Sequence, residues 1–93
     1  MLTRLIIILL LPLLSYSQNW NIATQFPYTG VHHPITFSYD NYGFVISGSN
    51  TDNTYRYDKN TDSWSQLANF PGGDRGYAYG VAKDDKAYMG FGS

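Results

Sequence analysis

The chain spells one phrase twice. "NWNIATQFPYT" starts at Asn19 and "SWSQLANFPGG" at Ser63, so Trp20 falls on Trp64, Phe26 on Phe70 and Pro27 on Pro71, each pair 44 residues apart. The same shift, with no gap, carries Asp40 onto Asp84, Gly48 onto Gly92 and Ser49 onto Ser93. Phe44 meets Tyr88 and Val45 meets Met89, so size and character persist where identity does not. The matches fall on aromatic anchors and turn residues, where backbone conformation restricts the choice of side chain. A repeated unit of this kind must bury its apolar surface against a neighbour.

Within one period, alternating apolar and polar residues mark the strands. Ile35, Phe37 and Tyr39 alternate with Thr36 and Ser38 in a first strand. Asp40 to Gly43 is turn chemistry, matched one period on by Asp84-Asp85-Lys86. A second strand is predicted over Gly43 to Ser49 and a polar loop over Asn50 to Asn53. Tyr55-Arg56-Tyr57 forms a third strand, Asp58 to Ser63 a hairpin turn, and Trp64 to Ala68 a fourth strand. Composition agrees with an all-β fold. Beyond residue 17 the strong helix formers are nearly gone: every acid is Asp, and Leu67 and Met89 are the only Leu and Met. Aromatic residues favour strands, and Gly, Asn, Asp and Ser favour turns. Four short strands to a period of 44 residues is the pattern of one propeller blade.

The period resembles a kelch repeat: an apolar strand, then glycine, then a Tyr and a Trp separated by six residues, here Tyr57 and Trp64 around "DKNTDS". The stretch "YDKNTDSWSQLANFPGGDR" is similar to the third and fourth strands and following loop of secreted bacterial kelch proteins. Propellers of the galactose-oxidase type are related to these. The likeness runs from Trp20 to Ser93; the family's double glycine after strand two is here Ser47-Gly48 and Phe91-Gly92. The resemblance implies a kelch-type β-propeller with Trp20, Gly48, Tyr57, Trp64, Pro71 and Gly92 at structural positions. It divides the chain into a lone fourth strand at 18–27, a full repeat at 28–71 and the start of the next at 72–93. A propeller has about four to eight blades. On that count the chain is expected to be the N-terminal piece of a longer protein, whose further strands close the ring by joining its two ends.

Residues 1–17 read as a signal peptide: Arg4 supplies the charge, Leu5 to Leu14 the apolar run, and Ser15-Tyr16-Ser17 the small residues before cleavage at Gln18. A spanning helix needs about 20 apolar residues, twice what this run offers. No Cys follows it, which excludes a lipoprotein anchor and leaves no disulfides. Of six basic residues one is Arg4, and the other five stand against seven acids, with no basic patch of the kind a nucleic-acid binder carries. The expected location is secreted, extracellular or periplasmic, with no membrane span after cleavage.

Few residues carry a chemical signal. Asp58, Asn60 and Asp62 have the opening spacing of a calcium loop, but the sixth and twelfth positions, Gly and Glu in an EF-hand, are Ser63 and Asn69. That stretch is expected to be a hairpin turn. His32 and His33 are potential metal ligands, yet an adjacent pair before Pro34 is expected to be solvated or packed, so no metal and no cofactor are assigned. "PGGDRG", Pro71 to Gly76, lacks the spacing and Lys of a phosphate loop and reads as the connection between blades. Arg75 is expected to pack on a neighbouring aromatic face, with contact to an anionic ligand as the other reading. No Ser-His-Asp set can be assembled, so no catalytic residue is assigned.

Antiparallel strands place the turns after strands one and three at one end and the remaining loops at the other. Those loops, Tyr28 to His33, Ser49 to Asn53 and Gly72 to Gly76, carry His32, His33, Asn50, Asp52 and Arg75. Loops on a rigid scaffold are where binding concentrates. The expected function is therefore a secreted binding module for a protein or glycan ligand, rather than an enzyme. The alternative is a carbohydrate-active propeller enzyme, similar to galactose oxidase or a sialic-acid mutarotase, with its catalytic residues outside this stretch. A third reading is a cell-surface structural array.

Overall fold

The computed structural model describes residues 19–93, and the expected signal peptide lies outside the described residues. Six strands and no helix occur among them: β1 (Ile35–Tyr39), β2 (Tyr42–Ile46), β3 (Thr54–Asp58), β4 (Ser63–Leu67), β5 (Tyr79–Lys83) and β6 (Lys86–Gly90). Strands β1 to β4 form one antiparallel sheet in chain order, and β5 and β6 form a second, two-stranded one. Asp40-Asn41 and Asp84-Asp85 are two-residue turns between paired strands. Asp40, Asp84 and Asp85 take positive φ there (57°, 52° and 63°), a conformation that short polar side chains tolerate and β-branched ones do not.

The 44-residue period is present in the backbone as well as in the sequence. Left-handed φ values recur in pairs at that spacing: His33 with Tyr77 (52° and 59°), Asp40 with Asp84 (57° and 52°), and Ser47 with Phe91 (59° and 65°). The loop bonds recur too. Ser49 N–H donates to His32 O at 2.9 Å, and Ser93 N–H donates to Gly76 O at 2.9 Å.

Cross-strand partners share a face, so the register sorts the side chains. Thr36, Val45, Tyr55 and Gln66 line one face together with Ser38, Gly43, Tyr57 and Trp64. Ile35, Ile46, Thr54 and Leu67 line the other together with Phe37, Phe44, Arg56 and Ser65. The second sheet covers this latter face, β5 lying along β1. Gly80 makes the approach possible: a Cβ there would collide with Ile35 Cγ2 and lie 3.1 Å from Phe37 Cδ1. Ile35 is completely buried as a result, and Ile46 nearly so. Burial of such a side chain contributes about 1.5–3 kcal/mol. Arg56, on the same face, sets its guanidinium 4.6 Å from the centre of the Tyr42 ring.

Residues 19–34 contain no strand, so the fourth strand expected near Trp20 is not formed. A strand needs a partner for its backbone groups, and no described segment pairs with this one. Instead the segment crosses the first face of the four-stranded sheet. Phe26 meets Trp64 edge-on at 4.8 Å, and Tyr28 stacks on Tyr55 at 4.0 Å. Trp20 is 93% exposed and anchors nothing, unlike its counterpart Trp64, which packs beside Tyr57 and Phe26. The second strand also stops short of the expected Ser49. Ser47 turns left-handed, which ends the pleat after Ile46.

Candidate functional site

The loops at one end of the sheets converge on Ser47, which is 1% exposed. Its hydroxyl lies 2.8 Å from Gly73 O and 3.2 Å from Thr51 O, and accepts from Arg75 N–H at 2.9 Å. Its own N–H donates to Asn53 O at 2.8 Å. One buried hydroxyl thus ties the loop after β2 to the 70–76 connection. Such a group is costly to bury unpaired, and here it both donates and accepts. Pro71 opens that connection at the second position of a turn, closed by Gly73 N–H donating to Phe70 O at 3.1 Å.

Around this hub stand the other polar side chains of the loop end. His33 stacks on Tyr77 with ring centres 4.0 Å apart and planes inclined by 23°. His33 Nδ1 is 3.2 Å from Ser49 Oγ, and His33 Nε2 is 3.0 Å from the Tyr77 hydroxyl. Both partners are hydroxyls that either donate or accept, so either neutral tautomer, or the imidazolium, is satisfied. Arg75 holds the neighbouring position: its guanidinium donates to Phe91 O at 3.2 Å, and its N–H also reaches Gly48 O at 2.8 Å. The guanidinium is thus held by a carbonyl rather than by the aromatic face expected for it. Most of its donors remain available. The Ser49 and Tyr77 hydroxyls, each bonded to His33, keep further hydrogen-bonding capacity.

The expected loops do come together, though not every residue named on them does. His32 is exposed and contributes its carbonyl to Ser49, while its ring lies 6.5 Å from that of His33. Asp52 is a fastener: its carbonyl accepts from Phe70 N–H at 2.7 Å and its carboxylate from Asn69 Nδ2 at 3.2 Å. Asn50 is exposed at the tip of its loop. Tyr77 and Ser47 belong to the site and were not singled out from the sequence. The 44-residue shift places Tyr77 on His33, and Ser47 is where the kelch likeness expects glycine; both were signals. Among the described residues no group of three His, Cys, Asp or Glu is arranged to hold a metal ion.

The opposite end spends its polar groups on structure. Asp62 accepts from Thr24 N–H and from Thr24 Oγ1, both at 2.8 Å, and from the Tyr57 hydroxyl. Trp64 Nε1 donates to Thr24 O at 2.9 Å, which completes the clamp on the N-terminal segment. The Thr24 backbone bond first, then the Tyr57 and Thr24 hydroxyls, hold the Asp62 carboxyl below its ordinary range. Tyr57 moves the other way, chiefly because its hydroxyl donates to Asp62, with desolvation and the charges of Asp62 and Asp58 adding to the shift. Asp58 accepts from Asn60 N–H at 2.9 Å within the turn, and Lys59 N–H donates to Asn41 O at 2.9 Å, which joins the two turns of this end. These carboxylates hold a hairpin in shape.

A third feature is the cleft where the two sheets diverge, about 240 Å³, lined by Phe37, Phe44, Leu67, Ala82 and Ala87 among others. It is almost wholly apolar and smaller than the pockets that hold most small ligands, about 300–1,000 Å³. Comparison with known proteins adds no identity: no protein-family model, no curated protein and no solved structure matches the chain.

Proposed function

We propose that the chain is part of a secreted kelch-type β-propeller, and that its loop end binds a protein or carbohydrate ligand. What supports the propeller reading is the 44-residue period shared by sequence and backbone, together with four antiparallel strands in chain order. The stacking of β1 on β5, the corresponding strands of successive units, points the same way. The binding reading rests on one observation above the others. At the loop end the Arg75 guanidinium is held by Phe91 O alone, and the Ser49 and Tyr77 hydroxyls keep capacity beyond their bonds to His33, while the turn end uses its polar groups internally. A guanidinium with most of its donors unused by the protein suits a ligand rich in hydroxyl or carboxylate groups. The carbohydrate-active enzyme remains an alternative that draws on the family resemblance alone.

The test is a screen of the secreted protein on glycan and protein arrays, followed by variants against whatever it retains. Arg75→Ala is expected to weaken binding by about 1.5–3 kcal/mol, the worth of a charge-assisted contact. Asn60→Ala, at the turn end, is expected to leave it unchanged. Normal binding by Arg75→Ala and His33→Ala together with loss in Asn60→Ala would place the ligand at the wrong end for this account.

A further inference from the structure

Ser49, His33 and Tyr77 form a line of three side chains at the loop end, away from the sheet faces on which successive units stack. Ser49 Oγ lies 3.2 Å from His33 Nδ1, and His33 Nε2 lies 3.0 Å from the Tyr77 hydroxyl. A hydroxyl within reach of an imidazole whose other nitrogen is held by a third group is the arrangement that makes a weak nucleophile reactive. The backbone keeps the set in place. Ser49 N–H donates to His32 O at 2.9 Å, and Tyr77 N–H donates to His33 O at 3.2 Å. Gly76 leaves room for the nucleophile, since a Cβ there would strike the Ser49 hydroxyl and lie 3.3 Å from Ser49 Cα. Ser49 is half-buried while His33 and Tyr77 are exposed, so a small ester reaches the hydroxyl from solvent.

We propose that Ser49 is a nucleophile that takes the acyl group of a carboxylic ester, with His33 as its base and Tyr77 orienting that base. With its proton on Nε2, donated to the Tyr77 oxygen, His33 offers Nδ1 to the Ser49 hydroxyl. As Oγ bonds to the carbonyl carbon of the ester, its proton passes to Nδ1. That proton then moves to the departing alcohol oxygen as the carbon–oxygen bond breaks, and Ser49 is left acylated. Water repeats the sequence: its oxygen bonds to the carbonyl carbon, its proton passes through Nδ1 to Ser49 Oγ, and a carboxylic acid is released. The imidazolium formed midway has its ring centre 4.0 Å from that of Tyr77, and an aromatic face stabilises such a cation. A phenol stands where a Ser-His-Asp triad has a carboxylate, and it stabilises the imidazolium less. The substrate class is therefore esters, whose alcohol departs more readily than the amine of an amide. The inference goes beyond ligand binding at this end and does not rest on it. Small esters serve as probes, so it can fail while binding stands.

The test uses the purified chain, in the form a secreting host releases, with para-nitrophenyl acetate to read turnover and a fluorophosphonate to trap the nucleophile. Peptide mass spectrometry locates the label. It is expected on Ser49 and not on Ser38 or Ser65, exposed strand residues that serve as internal controls. His33→Gln is expected to slow both reactions about a hundredfold, the worth of a positioned base. Tyr77→Phe keeps the stacked ring and is expected to slow them several-fold without changing the half-saturating probe concentration. Asn60→Ala, at the turn end, is expected to react like the parent. Circular dichroism checks that each variant keeps its strands. The chain has no Cys, so Ser49→Cys supplies a single thiol and a readout that needs no change at His33. Its alkylation by iodoacetamide is expected to be about tenfold faster than that of Ser65→Cys, since a neighbouring imidazole favours the thiolate. Turnover retained in Ser49→Ala would mean that an imidazole attacks the ester directly, and overturns the proposal. So does label spread evenly over the serines or absent from Ser49, undiminished reaction in His33→Gln or Tyr77→Phe, or equal reactivity of the two thiols.

Discussion

β1–β2 and β5–β6 have equal strand lengths, equal two-residue turns and matching left-handed residues at both ends, 44 residues apart. Ile35 in the first is completely buried, while its counterpart Tyr79 in the second is 77% exposed. Hairpin shape and hairpin burial therefore have different sources in this molecule. Shape is local: Asp at the turn, a left-handed residue at the end of the second strand, and the bond that returns Ser49 or Ser93 to the preceding loop. Burial comes from the neighbour, and among the described residues the first hairpin alone has one on its apolar face. Its depth depends on a detail of that neighbour, the missing side chain at Gly80.

The largest effect that sharpens the contrast comes from truncating the paired positions. Ile35→Ala is expected to cost about 2–5 kcal/mol, as for other fully buried aliphatic residues. Tyr79→Ala, measured on dilute protein, should fall within about 0.5 kcal/mol of the parent, as an exposed substitution does. Urea denaturation reads both. Equal losses would mean that the second hairpin is covered as fully as the first.

A smaller contrast lies at the left-handed residues after β2 and β6. Phe91 is exposed and pays a steric cost for its φ of 65°, so Phe91→Gly should stabilise by about 0.5–1 kcal/mol once glycine's extra chain entropy is deducted. Ser47→Gly relieves the same backbone but removes the hydroxyl from Gly73 O and Arg75 N–H, and should destabilise by about 1 kcal/mol. Melting temperatures that move the same way for both variants would deny Ser47 its role as the hub of the loop end.

The smallest effect is in the Asp62 clamp and is read through pH. Folding lowers the Asp62 pKa, so its contribution is complete above the unfolded carboxylate's value of about 4 and fades as pH falls through the lower folded value. Folding raises the Tyr57 pKa, so that contribution is complete below the unfolded phenol's value of about 10 and fades as pH rises through the higher folded value. Protection of the Thr24 amide, relative to its intrinsic exchange rate at each pH, should fall at both extremes, and Asp62→Asn should flatten both limbs. Unchanged protection at Thr24 in acid would show that the aromatic contacts of Phe26 and Tyr28 hold the segment without the carboxylate.

Much of this was legible in the residues. The alternation at Ile35-Thr36-Phe37-Ser38-Tyr39 and the Asp turns give strands and register, because period-two patterning and turn chemistry are local properties. The repeat also announced which loops would share an end. Trp20 was misleading because a tryptophan anchors only where a sheet lies beneath it, and the sequence match to Trp64 says nothing about that. Ser47 was passed over for a similar reason: its value lies in reaching Gly73, Thr51 and Arg75, contacts made across more than twenty residues in two of the three cases. The His33–Tyr77 pair lay in the alignment, but only the stacking of the two units turns corresponding positions into neighbours.

The central claim is that successive units stack through their first strands, with Gly80 seated against Ile35 and Phe37. Nuclear Overhauser contacts in solution test it directly. Cross-peaks from the Gly80 α-protons to the Ile35 methyl groups and the Phe37 ring are predicted, alongside the cross-strand contacts between Val81 and Tyr88 that report the hairpin itself. Intact Val81–Tyr88 contacts with no cross-peak from Gly80 to β1 would mean that the second hairpin forms but does not stack, and would contradict the account.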